Sequence, residues 1–325
     1  MILSNGGVGM KAIVLREPGD VSNLKYEERT IPTATESETV VQVKAFGLNH
    51  AESVTRKGGS PSVKLPRVIG IELVGTVLET KSAKFKPGDA VFTFQGGLGR
   101  EFDGSYQEYA LIPNQSLYHI PEGIDLSWDE LATIPQSGYT AYGSMMVAKI
   151  HSGDHVLLRG GTTTVGLDAA MLLHAMGAKV SASTRNPEHS ELLKSVGVDE
   201  VVIDQAGVLQ TAEKYDAIID FVGVTTMADT LKHIKIGHIV VETGELDDEW
   251  GDKFNIFTIP TGSYLTSFQS SYIRRDWLEK MFSLIKTHQI RFKIGQTFNF
   301  DEIHSAHELL DEGKSMGKIV IRVKE

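Results

Sequence analysis

Residues 157–170 read LLRGGTTTVGLDAA. An apolar run enters two glycines and leaves through three threonines into a helical pattern. Such a strand–turn–helix can hold a dinucleotide pyrophosphate, because a helix start offers N–H groups without partners. One glycine of that turn permits the bend, a second lets phosphate approach the backbone, and a third lets the helix pack on the strand. Gly160 or Gly161 suits the bend and Gly166 the packing position. Thr163 takes the middle position, where its amide and hydroxyl are both candidate donors. Gly161, Thr163, Thr164, Val165 and Gly166 are therefore candidate cofactor contacts. A plain strand–turn–helix capped by a threonine is the competing reading.

The next strand raises the odds of a ligand site. KVSASTR runs from 179 to 185. In an NAD site a carboxylate about 20 residues beyond the turn binds the ribose 2′-hydroxyl. Here none ends the strand, and Ser183 and Arg185 suit a 2′-phosphate instead. NADPH is expected over NADH. Lys179 reads as a solvated charge. Ligands of open α/β sheets sit outside the carboxyl ends of the strands. That adds Val222 and Gly223 of DFVG, and Thr243 with Gly244, to the cofactor candidates.

The elements that would position these residues follow from pattern. The chain has 325 residues, 41% hydrophobic and 23% charged, which suits about two globular domains. Its 42 acids against 32 bases leave a net charge of −10, which argues against nucleic acid as a partner. The lack of cysteine excludes disulfides, thiolate catalysis and sulfur-ligated zinc. No apolar run reaches the length of a membrane span. The opening MILSNGGVG lacks the regions of a signal peptide, so a cytoplasmic location is the default expectation. Residues 1–9 read as a flexible leader.

Residues 11–125 read as strands and turns, β-rich at 39–49, 71–80 and 89–94, with a short helix at 50–57. Ser127 suits an N-cap, with Glu130 three residues on, and Pro135 should divide the helical stretch that follows. Strands at 155–159, 179–184, 200–203, 216–221 and 238–243 then alternate with helices at 164–176, 188–196 and 226–234. That rhythm predicts a parallel sheet. Helices at 273–288 and 301–313 and a strand at 317–323 close the chain. The histidines, His304 and His307 included, show no metal-site spacing, and Arg56 reads as a surface charge.

Several segments together, in order and spacing, resemble the medium-chain dehydrogenase/reductase superfamily, and within it the zinc-independent quinone oxidoreductases. They are AFGLNHAESVTRKG (45–58), LPRVIGIELVGTV (65–77), FKPGDAVFTF (85–94), GSYQEYALIP (104–113), SGYTAYGSM (137–145), the 156–185 cofactor segment, YDAIIDFVG (215–223) and the terminal GKIVI. The resemblance covers nearly the whole chain from Met10. It implies an α/β fold: a GroES-like β-rich catalytic domain (10–133 and 270–325) and a Rossmann doubly wound NADPH-binding domain (134–269). The active site would lie in the cleft between them, and the protein would be a homodimer.

The resemblance also assigns roles. Metal ligands of zinc-using relatives would fall at Asn49, Ile71 and Gln136, and their proton-relaying hydroxyl at Ala51. None of these makes a zinc site, and the persisting Glu72 alone does not either. Asn49 is implied as the catalytic residue, near the nicotinamide and hydrogen-bonded to an acceptor carbonyl, although an Asn serving a turn is the alternative. Thr140 would pack near the nicotinamide. Tyr264 and Phe268 would shape the substrate pocket, or serve as core or interface. The expected activity is hydride transfer from NADPH to a quinone or similar activated carbonyl. The alternatives are reduction of an enoyl or alkenal C=C bond, and an NADPH-binding structural or regulatory protein with little turnover.

Overall fold

Apolar residues recur along Glu38–Gly47 and Glu72–Glu79 and put these two strands at the centre of a sheet, paired antiparallel. The computed structural model describes residues 9–244 and 255–323. Its first unit comprises residues up to Gln136 and from Ile294 onward. The main sheet there runs Ile294–Asn299, Lys318–Arg322, Glu38–Gly47, Glu72–Glu79, Ala90–Phe94 and Tyr118–His119, and Tyr109–Pro113 also pairs with Glu38–Gly47. A three-stranded sheet, Leu24–Thr30, Gly9–Leu15 and Arg67–Val68, packs into the same core, which includes Ile13, Phe46, Leu73 and Ile321. Of the expected leader, residues 1–8 lie outside the described residues, and Gly9 already opens a strand.

The second unit, Ser137–Lys293, is a doubly wound sheet. Its order is Val208–Leu209, Glu200–Gln205, Lys179–Thr184, His155–Arg159, Tyr215–Asp220, Ile234–Glu242 and Tyr264–Ser267. All pairings are parallel except that of Val208–Leu209. The chain moves outward from His155–Arg159 through three strands, then returns to its other side at Tyr215–Asp220. That reversal creates a switch point at the carboxyl ends of these two strands, the place where open α/β sheets hold ligands.

The second boundary falls after Lys293, not after residue 269. The amphipathic helix Arg275–His288 buries Leu278, Met281, Phe282 and Ile285 and packs on helices Tyr139–Val147 and Thr164–Ala175. Ser127 caps the helix Trp128–Leu131 with a reciprocal Glu130 bond, and Pro135 lies in a π-helical turn, Ile134–Gly138. The helix expected at 226–234 is Val224–Thr230 continued by a 3-10 turn, Leu231–His233, and the strand after it, Ile234–Glu242, begins earlier than 238. Among the described residues no helix is long and apolar enough to cross a membrane.

Candidate functional site

Gly160 has φ of 80°, a left-handed conformation that disfavours a side chain. Its amide donates to Ser183 Oγ at 3.0 Å, and the Gly161 amide donates to the Ser183 carbonyl at 3.0 Å. These bonds tie the turn to the end of strand Lys179–Thr184. A Cβ on Gly166 would stand 2.6 Å from the Gly160 carbonyl oxygen, so only glycine lets this helix approach so closely. Thr163 is the N-cap, with φ −68° and ψ 156°, and its place needs no glycine conformation. Its hydroxyl accepts from the Gly166 amide at 3.0 Å and donates to the Gly160 carbonyl at 2.9 Å. The hydroxyl is thus engaged within the turn and not turned to a phosphate. The amides of Thr164 and Val165, at the first two helical positions, are the donors left at the helix start.

Ser183 is buried, and its hydroxyl serves the turn rather than facing a ribose phosphate. Thr184 bonds back to Asn186. Arg185 is exposed and makes no hydrogen bond or ion pair among the described residues. Across the switch point, a Cβ on Gly160 would meet Phe221 and Val222, each at 3.3 Å. The buried carboxyl of Asp220 accepts from the Val222 amide at 2.8 Å, the Gly223 amide at 3.4 Å and the Thr230 hydroxyl at 2.6 Å. Burial pushes this carboxyl up, against those donors. Thr243 and Gly244 bond the Asp220 carbonyl at 2.9 and 3.2 Å. The Thr243 hydroxyl meets Ser144 Oγ at 2.9 Å, and Ser144 donates to the Thr140 carbonyl at 2.7 Å. The cofactor candidates of this unit therefore converge, apart from Arg185 at its exposed position.

Sequence reasoning passed over the brace beneath them. Arg159, fully buried, pairs with Asp204 at 2.8 Å and Asp229 at 3.3 Å and donates to the Thr230 hydroxyl at 2.8 Å. It ends an apolar strand, where an arginine is itself a signal of buried pairing. Tyr264 is 61% exposed on the edge strand of its sheet. Phe268 is core, against Tyr139 and Trp277, and it fills the space over Gly143.

Asn49 belongs to the first unit, at the N-cap of helix His50–Arg56. Its backbone amide donates to Glu52 at 3.0 Å. Its side-chain amide donates to Glu72 at 2.9 Å and to Glu52 at 3.4 Å, while Oδ1 accepts from Lys318 at 2.6 Å. Both N–H bonds thus point at carboxylates. This corrects the expectation of an amide open to an acceptor carbonyl. Glu52 also accepts from the Ile71 amide at 3.1 Å, and Glu72 from the Gln136 amide at 2.8 Å. Burial, reinforced by Glu72, pushes Glu52 up to about 7 against its hydrogen bonds.

Arg56, expected on the surface, is 1% exposed. It donates to Asp311 at 2.5 Å, to the Gly19 carbonyl at 2.6 Å and to His307 Nδ1 at 3.3 Å. Tyr106 Oη meets His307 Nε2 at 2.9 Å, and Ser53 donates to Asp311 at 2.5 Å. His307 is thus a satisfied core histidine.

Comparison with known proteins agrees with both units. Residues 35–122 match the family model described as alcohol dehydrogenase GroES-like domain, and residues 196–321 the one described as zinc-binding dehydrogenase. An acryloyl-coenzyme A reductase of Metallosphaera sedula is 26% identical over 337 residues, spanning 96% of this chain and 99% of its own. A quinone oxidoreductase of Pseudomonas aeruginosa is 26% identical over 331 residues, again spanning 96% and 99%. The crystal structure of AibC matches with a TM-score of 0.88 at 25% identity, covering 100% of this chain and 99% of that one. The chain is an oxidoreductase and belongs to the medium-chain dehydrogenase/reductase superfamily, in its quinone oxidoreductase-like branch.

Proposed function

We propose that the chain uses NADPH to reduce an electron-poor conjugated carbonyl, a quinone or an α,β-unsaturated carbonyl, without a catalytic metal. The observation that carries the cofactor is the end of strand Lys179–Thr184. No carboxylate stands there, and the Arg185 guanidinium has no partner among the described residues. A free guanidinium suits a 2′-phosphate, whereas an NAD site places an acid at this point. When bound, NADPH supplies the hydride.

The chain's own residues bind and orient. Gly161 and Gly166 permit close approach at the turn, and the Thr164 and Val165 amides face the pyrophosphate. Thr163 holds the turn. Ser183 fixes the turn to the strand that presents Arg185. Val222, Gly223, Thr243, Gly244 and Thr140 line the path toward the nicotinamide. The similarity to proteins named for acryloyl-coenzyme A and for quinones favours an acceptor with a C=C bond conjugated to a carbonyl. NADPH oxidation by the purified chain with quinone and enone panels tests this. Turnover with members of either panel is expected. Tight NADPH binding without turnover on either would leave a binding protein and remove the proposal.

We also propose a homodimer. The strand Tyr264–Ser267 forms the outer edge of its sheet. Tyr264 is 61%, Ile236 78% and Phe257 91% exposed there and nearby. An unpaired edge beside apolar side chains favours association. Sedimentation equilibrium should give twice the chain mass of 35.6 kDa, reduced to one chain by Tyr264→Asp with Phe257→Asp. A monomeric native protein would exclude the dimer.

A further inference from the structure

The cluster of Asn49, Glu52, Glu72 and Lys318 is not accounted for by cofactor binding. Lys318 is 1% exposed and Glu72 fully buried, and they pair at 2.6 Å. Burying such a pair carries a desolvation penalty that only close geometry offsets. The fold supplies that geometry. A Cβ on Gly47 would stand 2.1 Å from Lys318 Cε and 2.6 Å from Glu72 Oε1, so the missing side chain is the channel for the lysine stem.

The family model named for zinc raises the question of fit. Of the three positions that would supply ligands, Ile71 has no donor atom. Gln136 Oε1 accepts from Gln95 at 3.1 Å, and Asn49 Oδ1 accepts from Lys318. These residues do not fit zinc.

We propose that Lys318 is a positioning residue: its ammonium is the cluster's resident cation, which fixes the Glu72 carboxylate and the Asn49 amide and keeps a divalent metal out. Without it, the carboxylates of Glu52 and Glu72 and the Asn49 carbonyl form an all-oxygen set, which suits Mg²⁺ or Mn²⁺. The activity arm of the test rests on the NADPH-dependent reductase reading; the metal arm does not.

The test compares the full chain with Lys318→Met, Lys318→Arg and Gly47→Ala. It measures kcat and KM for an enone, NADPH affinity by fluorescence titration, and the thermal shift caused by Mn²⁺ alone. Lys318→Met should lower kcat roughly tenfold to hundredfold through misplacement of the cluster, with NADPH affinity held within about twofold. It should also gain a Mn²⁺-dependent stabilisation that the native protein lacks. Lys318→Arg should recover part of kcat. Gly47→Ala, which displaces the stem and keeps the charge, should lose kcat as Lys318→Met does. Unchanged kcat in Lys318→Met overturns the proposal. So does a Mn²⁺ or Zn²⁺ shift of the native protein that Glu72→Gln abolishes, a result that needs no folded lysine variant. A native chain without NADPH oxidation removes the reductase reading instead, and the metal titrations still decide the role of Lys318.

Discussion

Two buried charge networks share the helix His50–Arg56, and they are built to different ends. Arg56 joins Asp311, His307 and, through His307, Tyr106. Asp311 and His307 are both held far from a change of charge at neutral pH. Burial, with the Arg56 charge beside it, drives His307 down to about 3. Burial alone would raise Asp311, but bonds from Ser53 and Lys57 and the Arg56 charge hold it at about 2. Four residues back along the same helix, Glu52 is raised to about 7 beside the Lys318–Glu72 pair. The first network ties helix His50–Arg56 to helix Ile303–Glu312. The second keeps one carboxyl able to change charge near neutrality. Strongly shifted groups of the second kind are the ones that tend to cluster at functional sites.

The largest expected effect is at Arg56. Arg56→Met removes the buried guanidinium from Asp311, which keeps Ser53 and Lys57, and from His307, which keeps Tyr106, and should destabilise the protein by about 3 kcal/mol. NADPH affinity should not change. Urea unfolding measures this, and a loss well under about 1 kcal/mol would place Arg56 among weak exposed pairs and break the contrast.

A smaller effect should come from Glu52. Its proton is held more tightly folded than unfolded, so its contribution is full below the unfolded pKa and is lost as pH rises through about 7. The total is at most about 3 kcal/mol. Glu52→Gln should therefore flatten the fall of Tm between the unfolded value of 4.5 and about pH 7. His307 acts in the opposite sense: its stabilisation is present above the unfolded pKa and lost as pH falls toward about 3. An unchanged slope between those values in Glu52→Gln would show that Glu52 titrates as an ordinary carboxylate.

What the sequence disclosed follows from range. Gly166 was legible because close helix–strand contact is a local demand. The strand–helix rhythm of the second unit was legible for the same reason. Arg56 was not: an arginine on a short polar helix looks solvated, and its partners stand about 250 residues along the chain. Lys318 was read only as part of a closing strand, since nothing local marks its contact with Asn49. Ser183 and Thr163 were noticed as hydroxyls, yet each engages a backbone amide of the turn. The edge strand Tyr264–Ser267 has only four residues, three of them exposed and one half-buried, so alternation carried no signal.

The central claim is metal-free hydride transfer from NADPH, and one assay meets it directly. Chelator-treated, metal-analysed protein is given an enone or quinone with NADPH and, separately, with NADH. The account predicts turnover undiminished by chelation and roughly tenfold or greater preference for NADPH, equivalent to about 1.4 kcal/mol or more. Activity that vanishes on chelation and returns with zinc, or a preference for NADH, would contradict it.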